Sequence, residues 1–257
     1  MGSALSSEYE RYFPEKERYK KILQLRVEEN MIQPSKTYIE MENEYKRIFE
    51  ADRENPYAAY LYAKSIRNTI NFGESSNRKV DAIRIKNILD EATMANPNSS
   101  ILYSFRPIIR DSFYNFYGFD LEDRAESKEL LKKSILLDPE NHDVLYWASK
   151  FYSRIGNQKL AAPLIEKALS IAPFGPDERK AFRCRVYLGA FDFIKAEEAA
   201  RELISLDDKR SIFLGSMFIA FIEAKTNRMS EAKITFRKIL DDTKITKQQA
   251  IAQFRRY

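Results

Sequence analysis

The sequence predicts an all-α fold, an α-solenoid of about five stacked antiparallel helix pairs preceded by a capping helix. Three observations carry that expectation. Apolar residues recur at 3–4 spacing along most of the 257 residues, the period of a helix with one buried face. Strand signals are nearly absent, with no sustained two-residue alternation and no Asn-Gly or Asp-Gly hairpin turn. Four segments end alike, at Pro56, Pro97, Pro139 and Pro173, spaced 41, 42 and 34 residues apart. Periods of that size signal stacked helical arrays, in which each unit buries its apolar face only against its neighbours.

The elements follow in chain order. Residues 1–13 read as a flexible N-terminus or as a leftover of recombinant expression, since Met1-Gly2-Ser3 is a common remnant. The same start fits the loose pattern for N-myristoylation, the weaker reading. Over 14–34 a capping helix is expected: Tyr19, Ile22, Leu23 and Val27 form its stripe, Pro14 suits its first turn, and it packs on the first pair. Ser35 is placed as the N-cap of the next helix, whose stripe is Tyr38, Met41, Tyr45, Ile48 and Phe49. Each proline mark then closes one helix and precedes another, because proline cannot continue the helix it follows. The repeat array spans 35–241, with loops near 71–77 and 117–120, and a C-terminal helix over 242–257 reads as truncated. Pro163 is expected in a first turn, and Pro107 is expected to kink the helix carrying Tyr103, Phe105, Ile108 and Ile109.

One interval resembles a known family. Residues 142–173 read HDVLYWASKFYSRIGNQKLAAPLIEKALSIAP, which is similar to a tetratricopeptide repeat. Leu145, Ala148, Ser149 and Tyr152 fall where that family packs its first helix, and Gly156 falls at the turn. Ala161 and Ala168 take the small positions of the second helix, Ile165 its large one, and Pro173 the closing proline. Small residues there let two antiparallel helices approach, while larger side chains fill the gap between turns. Flanking stretches resemble the family less closely, with Ala196, Leu203, Ala232, Phe236 and Ile239 in corresponding places.

The resemblance implies a right-handed superhelix whose concave groove, lined by exposed positions of each first helix, binds a protein or peptide partner. Carried onto this unit, it puts Asp143, Tyr146, Trp147, Lys150, Ser153 and Arg154 toward the groove. An aromatic pair with two cations one turn apart suits a peptide that is both apolar and acidic; the alternative is a solvated first-helix face with Trp147 covering a neighbouring helix. The first helices also carry Lys64 with Arg67, Arg106 with Arg110, and Lys180 with Arg183, which extend a basic track if their registers match. The family's carboxylate-clamp subset fits poorly, since Tyr146 stands where its first Lys would and Lys150 replaces its Asn.

Composition narrows the function further. Glycine numbers 7 of 257 with no G-x-G, which excludes a glycine-rich dinucleotide fingerprint and a phosphate loop. A single Cys184 and a single His142 exclude a disulfide framework and a zinc cluster, and no cofactor is expected. His142 reads as a first-turn residue with no placed partner for base catalysis, and Cys184 as a small semi-apolar helix residue. Asp207-Asp208 and Asp241-Asp242 read as solvated helix ends. No apolar run approaches the length of a membrane span. The balance of 43 Lys+Arg against 38 Asp+Glu leaves only +5 over a large surface, without a recognition motif. That argues against nucleic acid as a partner of this segment.

The expected function is therefore non-enzymatic: a cytoplasmic adaptor or regulatory domain that binds a partner in its groove. Candidate partner-binding residues are Asp143, Tyr146, Trp147, Lys150, Arg154, Arg110, Lys64 and Arg67. Irregular arrays of this kind are similar in architecture to the C-terminal sensory regions of bacterial winged-helix activators and class III cyclases, so a larger parent protein, such as a bacterial transcriptional regulator, is expected. Two alternatives stand beside this reading. A self-associating scaffold, a homo-oligomer, would use exposed aromatics such as the 113–117 run, and a small-ligand sensor would need a closed apolar pocket.

Overall fold

Helix α1 (Tyr38–Ala51) begins two residues later than its stripe suggests. Thr37, not Ser35, is the N-cap: its hydroxyl accepts the Glu40 N–H, and the Glu40 carboxylate accepts the Thr37 N–H. A glutamate three residues on completes this reciprocal box for Thr37, whereas Ser35 has Tyr38 in that place. The computed structural model describes residues 12–13, 20–22, 24–26, 36–71, 74–112, 121–171, 183–184, 187–188, 191–206 and 209–243. Expectations at Ser35, the aromatic run 113–117, the loop 117–120, Pro173, Lys180, Asp207-Asp208 and 244–257 lie outside them, as do most of those over 1–34. No strand occurs among the described residues.

Nine further helices follow among the described residues: α2 (Pro56–Asn71), α3 (Arg78–Ala95), α4 (Ser100–Ser112), α5 (Leu121–Leu137), α6 (His142–Arg154), α7 (Gln158–Ile171), α8 (Phe193–Ile204), α9 (Lys209–Lys225) and α10 (Met229–Thr243). The turns between pairs repeat at the level of single hydrogen bonds. The N–H of Asn55, Ser99 and Asn141 donates to the carbonyl of Asp52, Asn96 and Asp138, at 3.2, 3.1 and 3.3 Å. Asn55 and Asn141 then cap the next helix alike: each Oδ1 accepts a first-turn N–H, and each Nδ2 donates 3.1 Å to the aspartate three residues back. Pro56 is the first residue of α2, where its missing N–H costs nothing, while Pro97 and Pro139 lie in the turns.

The turns within pairs repeat too. Gly156, Phe191 and Asn227 adopt left-handed φ of 78, 56 and 62°. Behind them the N–H of Asn157, Asp192 and Arg228 reaches back to the carbonyl of Tyr152, Tyr187 and Glu223, the pattern that closes a helix through a left-handed residue. Glycine meets that conformation without strain; the exposed Phe191 does not.

One internal proline lies deeper in its helix than expected. α7 starts at Gln158 behind the cap Asn157, so Pro163 is its sixth residue, past the first turn. It removes the donor for the Lys159 carbonyl on an exposed side of the helix, where water can serve instead. Pro107 lies within α4, which continues through it from Ser100 to Ser112.

By internal packing the chain divides into two units, Met1–Phe151 and Tyr152–Tyr257. In the first, α1 packs on α2, α2 on α3 and α4 on α5, while α4 also meets α2 and α3. That is the order in which one pair stacks on the next. α2 is buried nearly all round, with Ala58, Ala59 and Ala63 admitting its neighbours and Tyr57, Tyr60 and Ile66 filling the core. In the second unit α8 packs on α9 and α9 on α10. Ala161, Ile165 and Ala168 of α7 are buried, as are Ala196 and Leu203 of α8 and Ala232 and Ile239 of α10, while Phe236 is half-buried.

Candidate functional site

Three first helices of the first unit, α2, α4 and α6, bring their aromatic residues into one line. Tyr57 and Tyr60 on α2 meet edge to face at 5.8 Å, Tyr60 meets Phe105 of α4 at 5.1 Å, and Phe105 meets Trp147 of α6 at 5.0 Å. Two hydrogen bonds fix the register: Trp147 Nε1 donates to Tyr60 Oη at 2.9 Å, and Asn141 Nδ2 donates to Tyr57 Oη at 2.6 Å. Buried indole and phenol groups thus find partners instead of losing their solvation unpaid.

Cations gather on this frame. The Arg67 guanidinium stands 5.7 Å from the Trp147 ring centre. Lys150 Nζ stands 5.6 Å from the same ring and 5.7 Å from that of Tyr146, which packs on Trp147 at 4.8 Å. Both arrangements are favourable because the ring face carries negative potential. At the start of α6 the Asp143 carboxylate accepts two bonds from Arg26, at 3.2 and 3.1 Å. Burial pushes the Asp143 carboxyl up, but Arg26, His142 and Lys64 outweigh it and hold the group well below the usual carboxylate range. His142 is pushed down to about 4, first by burial.

Of the sequence-predicted residues, the structure gathers Lys64, Arg67, Asp143, Tyr146, Trp147 and Lys150 about the α2–α6 contact. Their exposure differs from a groove lining. Trp147 is only 3% exposed and Asp143 4%, both turned into the unit, because rings and an arginine from distant segments cover them. Tyr146, Lys150 and Lys64 are half-buried and keep an accessible edge. Arg110 instead pairs with Glu126 of α5. Arg154 is exposed near the end of α6 and belongs to the second unit, where Ser153 is buried.

Of the cations on the other first helices, Arg106 pairs with Asp90 of α3, and Arg183 with Glu202 of α8. Sequence reasoning missed Arg26, Tyr60, Phe105 and Asn141. A signal for the rings exists, since Tyr60, Phe105 and Trp147 stand 45 and 42 residues apart, close to the repeat of the turn contacts.

Among the described residues no group of three His, Cys, Asp or Glu is placed to hold a metal ion. No described helix is long and apolar enough to cross a membrane. Cys184 is buried and is not part of a disulfide.

The comparisons bear on the fold. The family described as tetratricopeptide repeat matches residues 142–174. No curated protein matches the chain in sequence. Among solved structures, human IFIT1 as a dimer with m7Gppp-AAAA is similar at 20% identity and a TM-score of 0.52, over 79% of this chain and 45% of that one. A monomeric IFIT1 mutant with the same ligand is similar at 17% identity and a TM-score of 0.53, over 79% and 46%. The chain thus spans less than half the length of these proteins. PilW, a type IV pilus biogenesis factor, is similar at 12% identity and a TM-score of 0.52, over 93% of this chain and 99% of that one. Identities so low carry the architecture and no ligand. With its repeating turns, its pair-on-pair packing and these likenesses, the chain is a helical-repeat protein with a tetratricopeptide repeat at residues 142–174.

Proposed function

We propose that the chain is a non-enzymatic protein-interaction module whose α2–α4–α6 face binds a peptide or protein segment that is apolar and acidic. The observation that carries this reading is the half-buried Tyr146–Lys150 pair seated on the buried Trp147, with Arg67 on the same ring and Lys64 near by. Rings fixed by hydrogen bonds lose little freedom when a ligand packs on them, and partly desolvated cations attract carboxylates more strongly than exposed ones do. A single cysteine, buried and outside any disulfide, suits a reducing, cytoplasmic setting. A place inside a larger protein, such as a bacterial transcriptional regulator, rests on likeness of architecture alone.

The test is direct. Lys150→Glu is expected to weaken capture of an acidic, aromatic-containing peptide at least ten-fold, read by fluorescence anisotropy, with helical circular dichroism unchanged. Capture at wild-type strength excludes this face. An RNA oligonucleotide that competes with the peptide would move the reading to nucleic acid, the kind of ligand in the IFIT1 structures.

A further inference from the structure

The N-terminal segment reaches further than a cap on one pair requires. Its described residues do touch the first pair: Phe13 is buried, its ring 6.4 Å from Tyr57, and Asn55 Nδ2 donates 2.7 Å to the Tyr12 carbonyl. Lys21 Nζ lies 2.6 Å from a Glu44 carboxylate oxygen of α1. Arg26, however, grips Asp143, 117 positions away on the first helix of the third pair. Both side chains are largely buried in that contact, at 12% and 5% exposure.

Ile22, Leu25 and Arg26 stand at i, i+3 and i+4, one face of a helical turn, and both apolar members are buried. This is how an amphipathic helix lies in a groove, with apolar anchors for affinity and one charged contact for register. The contact also sets the chemistry of whatever sits there. A buried carboxylate stripped of its partner is strongly unfavourable, and a planar guanidinium fits it at two points where an ammonium fits at one.

We propose that the start of α6 is a docking surface for an amphipathic protein helix bearing two apolar residues three apart followed by arginine, and that the chain's own residues 20–26 occupy it in competition with such a partner. The inference rests on the reading that this face of the first unit takes a ligand, and it names the partner's chemistry at the Asp143 end. The sequence continues Val27-Glu28-Glu29, so a ligand of the same pattern brings acids after its arginine. A tethered segment acts at an effective concentration on the order of millimolar, so a partner gains entry only when the arginine contact in cis is weakened or its own helix binds better.

The experiment titrates a fluorescein-labelled peptide of residues 10–30 against the full chain. Arg26→Ala in the chain is expected to raise affinity for the peptide at least ten-fold over wild type. Arg26→Lys, which keeps the charge and loses the fork, is expected to give a smaller rise. The gain is expected to vanish when the peptide itself carries Arg26→Ala, or when Asp143→Asn is added to the Arg26→Ala chain. Equal affinity for wild-type and Arg26→Ala chains overturns the proposal, as does a gain indifferent to the peptide's own arginine. A fall in melting temperature without any gain makes the segment a structural brace only and overturns it too. The acidic peptide of the Lys150 test, run in the same samples, depends on Lys150 and not on a ligand arginine, so either reading can fail without the other.

Discussion

His142 opens α6 with its imidazole buried, Nδ1 3.7 Å from Asp143 Oδ1, and with the charges of Arg26 and Lys64 acting on it. Burial is the largest influence and disfavours the cation; Asp143 opposes it, while Arg26 and Lys64 reinforce it, and the group falls from 6.5 to about 4. The sign for stability follows. Above pH 6.5 the ring is neutral in both states and contributes nothing. As pH falls from 6.5 toward 4 the unfolded chain takes up a proton that the native ring refuses, so stability drops, by ~2–3 kcal/mol near pH 4.5. Asp143 acts lower: its depressed carboxyl stabilises the fold above the ordinary value of 3.8 and loses that effect as pH falls through and below it. Urea melts between pH 7 and 4.5 are expected to show the loss, and His142→Gln to flatten it. An unchanged slope in that variant would assign the proton uptake to other groups.

At the scale of elements, α8 and α9 of the second unit approach closely at Gly215 of α9. A Cβ there would stand 2.6 Å from the Ala200 carbonyl oxygen and 2.6 Å from Ile204 Cγ1 of α8, inside any permitted contact. Gly215→Ala is therefore expected to cost ~1–3 kcal/mol by forcing α8 and α9 apart. Gly156 is the control: nothing lies within 4 Å of its added Cβ, so Ala there meets only the left-handed backbone, ~1–2 kcal/mol. Denaturant midpoints at constant slope would show both; a Gly215→Ala chain as stable as wild type means that the helices part without loss. Such elements were legible in the sequence where one helix decides its own pattern. The alanines and Ile165 of α7, and the turns marked by Pro56, Pro97 and Pro139, need no distant partner to be read. What escaped is set by other segments. Arg106, Arg110 and Arg183 turn to acids on neighbouring helices. Trp147 sits on the face assigned to the groove yet is buried, because Tyr60 and Phe105 arrive from two other helices.

Over the whole molecule, stability in a stacked array is a sum of unit terms and contacts between neighbours, and in the first unit one residue stands where those contacts converge. Phe105 is fully buried on α4 between Tyr60 of α2 and Trp147 of α6, so its ring links three first helices. Phe105→Ala removes a bridging ring and leaves a cavity, with an expected cost of ~3–5 kcal/mol. Phe105→Leu restores much of the volume without the ring stacking and should cost less. The chain has one tryptophan, so emission reports on α6 alone. Native Trp147 is expected to emit toward the blue and to resist iodide, in line with its burial. If Phe105 couples α4 to α6, Phe105→Ala shifts that emission to the red and opens it to iodide under conditions where circular dichroism still reports full helix, because α6 loosens before the unit unfolds. Emission that holds constant up to the main transition, despite lowered stability, would mean that Tyr60 and the Asn141–Tyr57 bond hold α6 without the bridge.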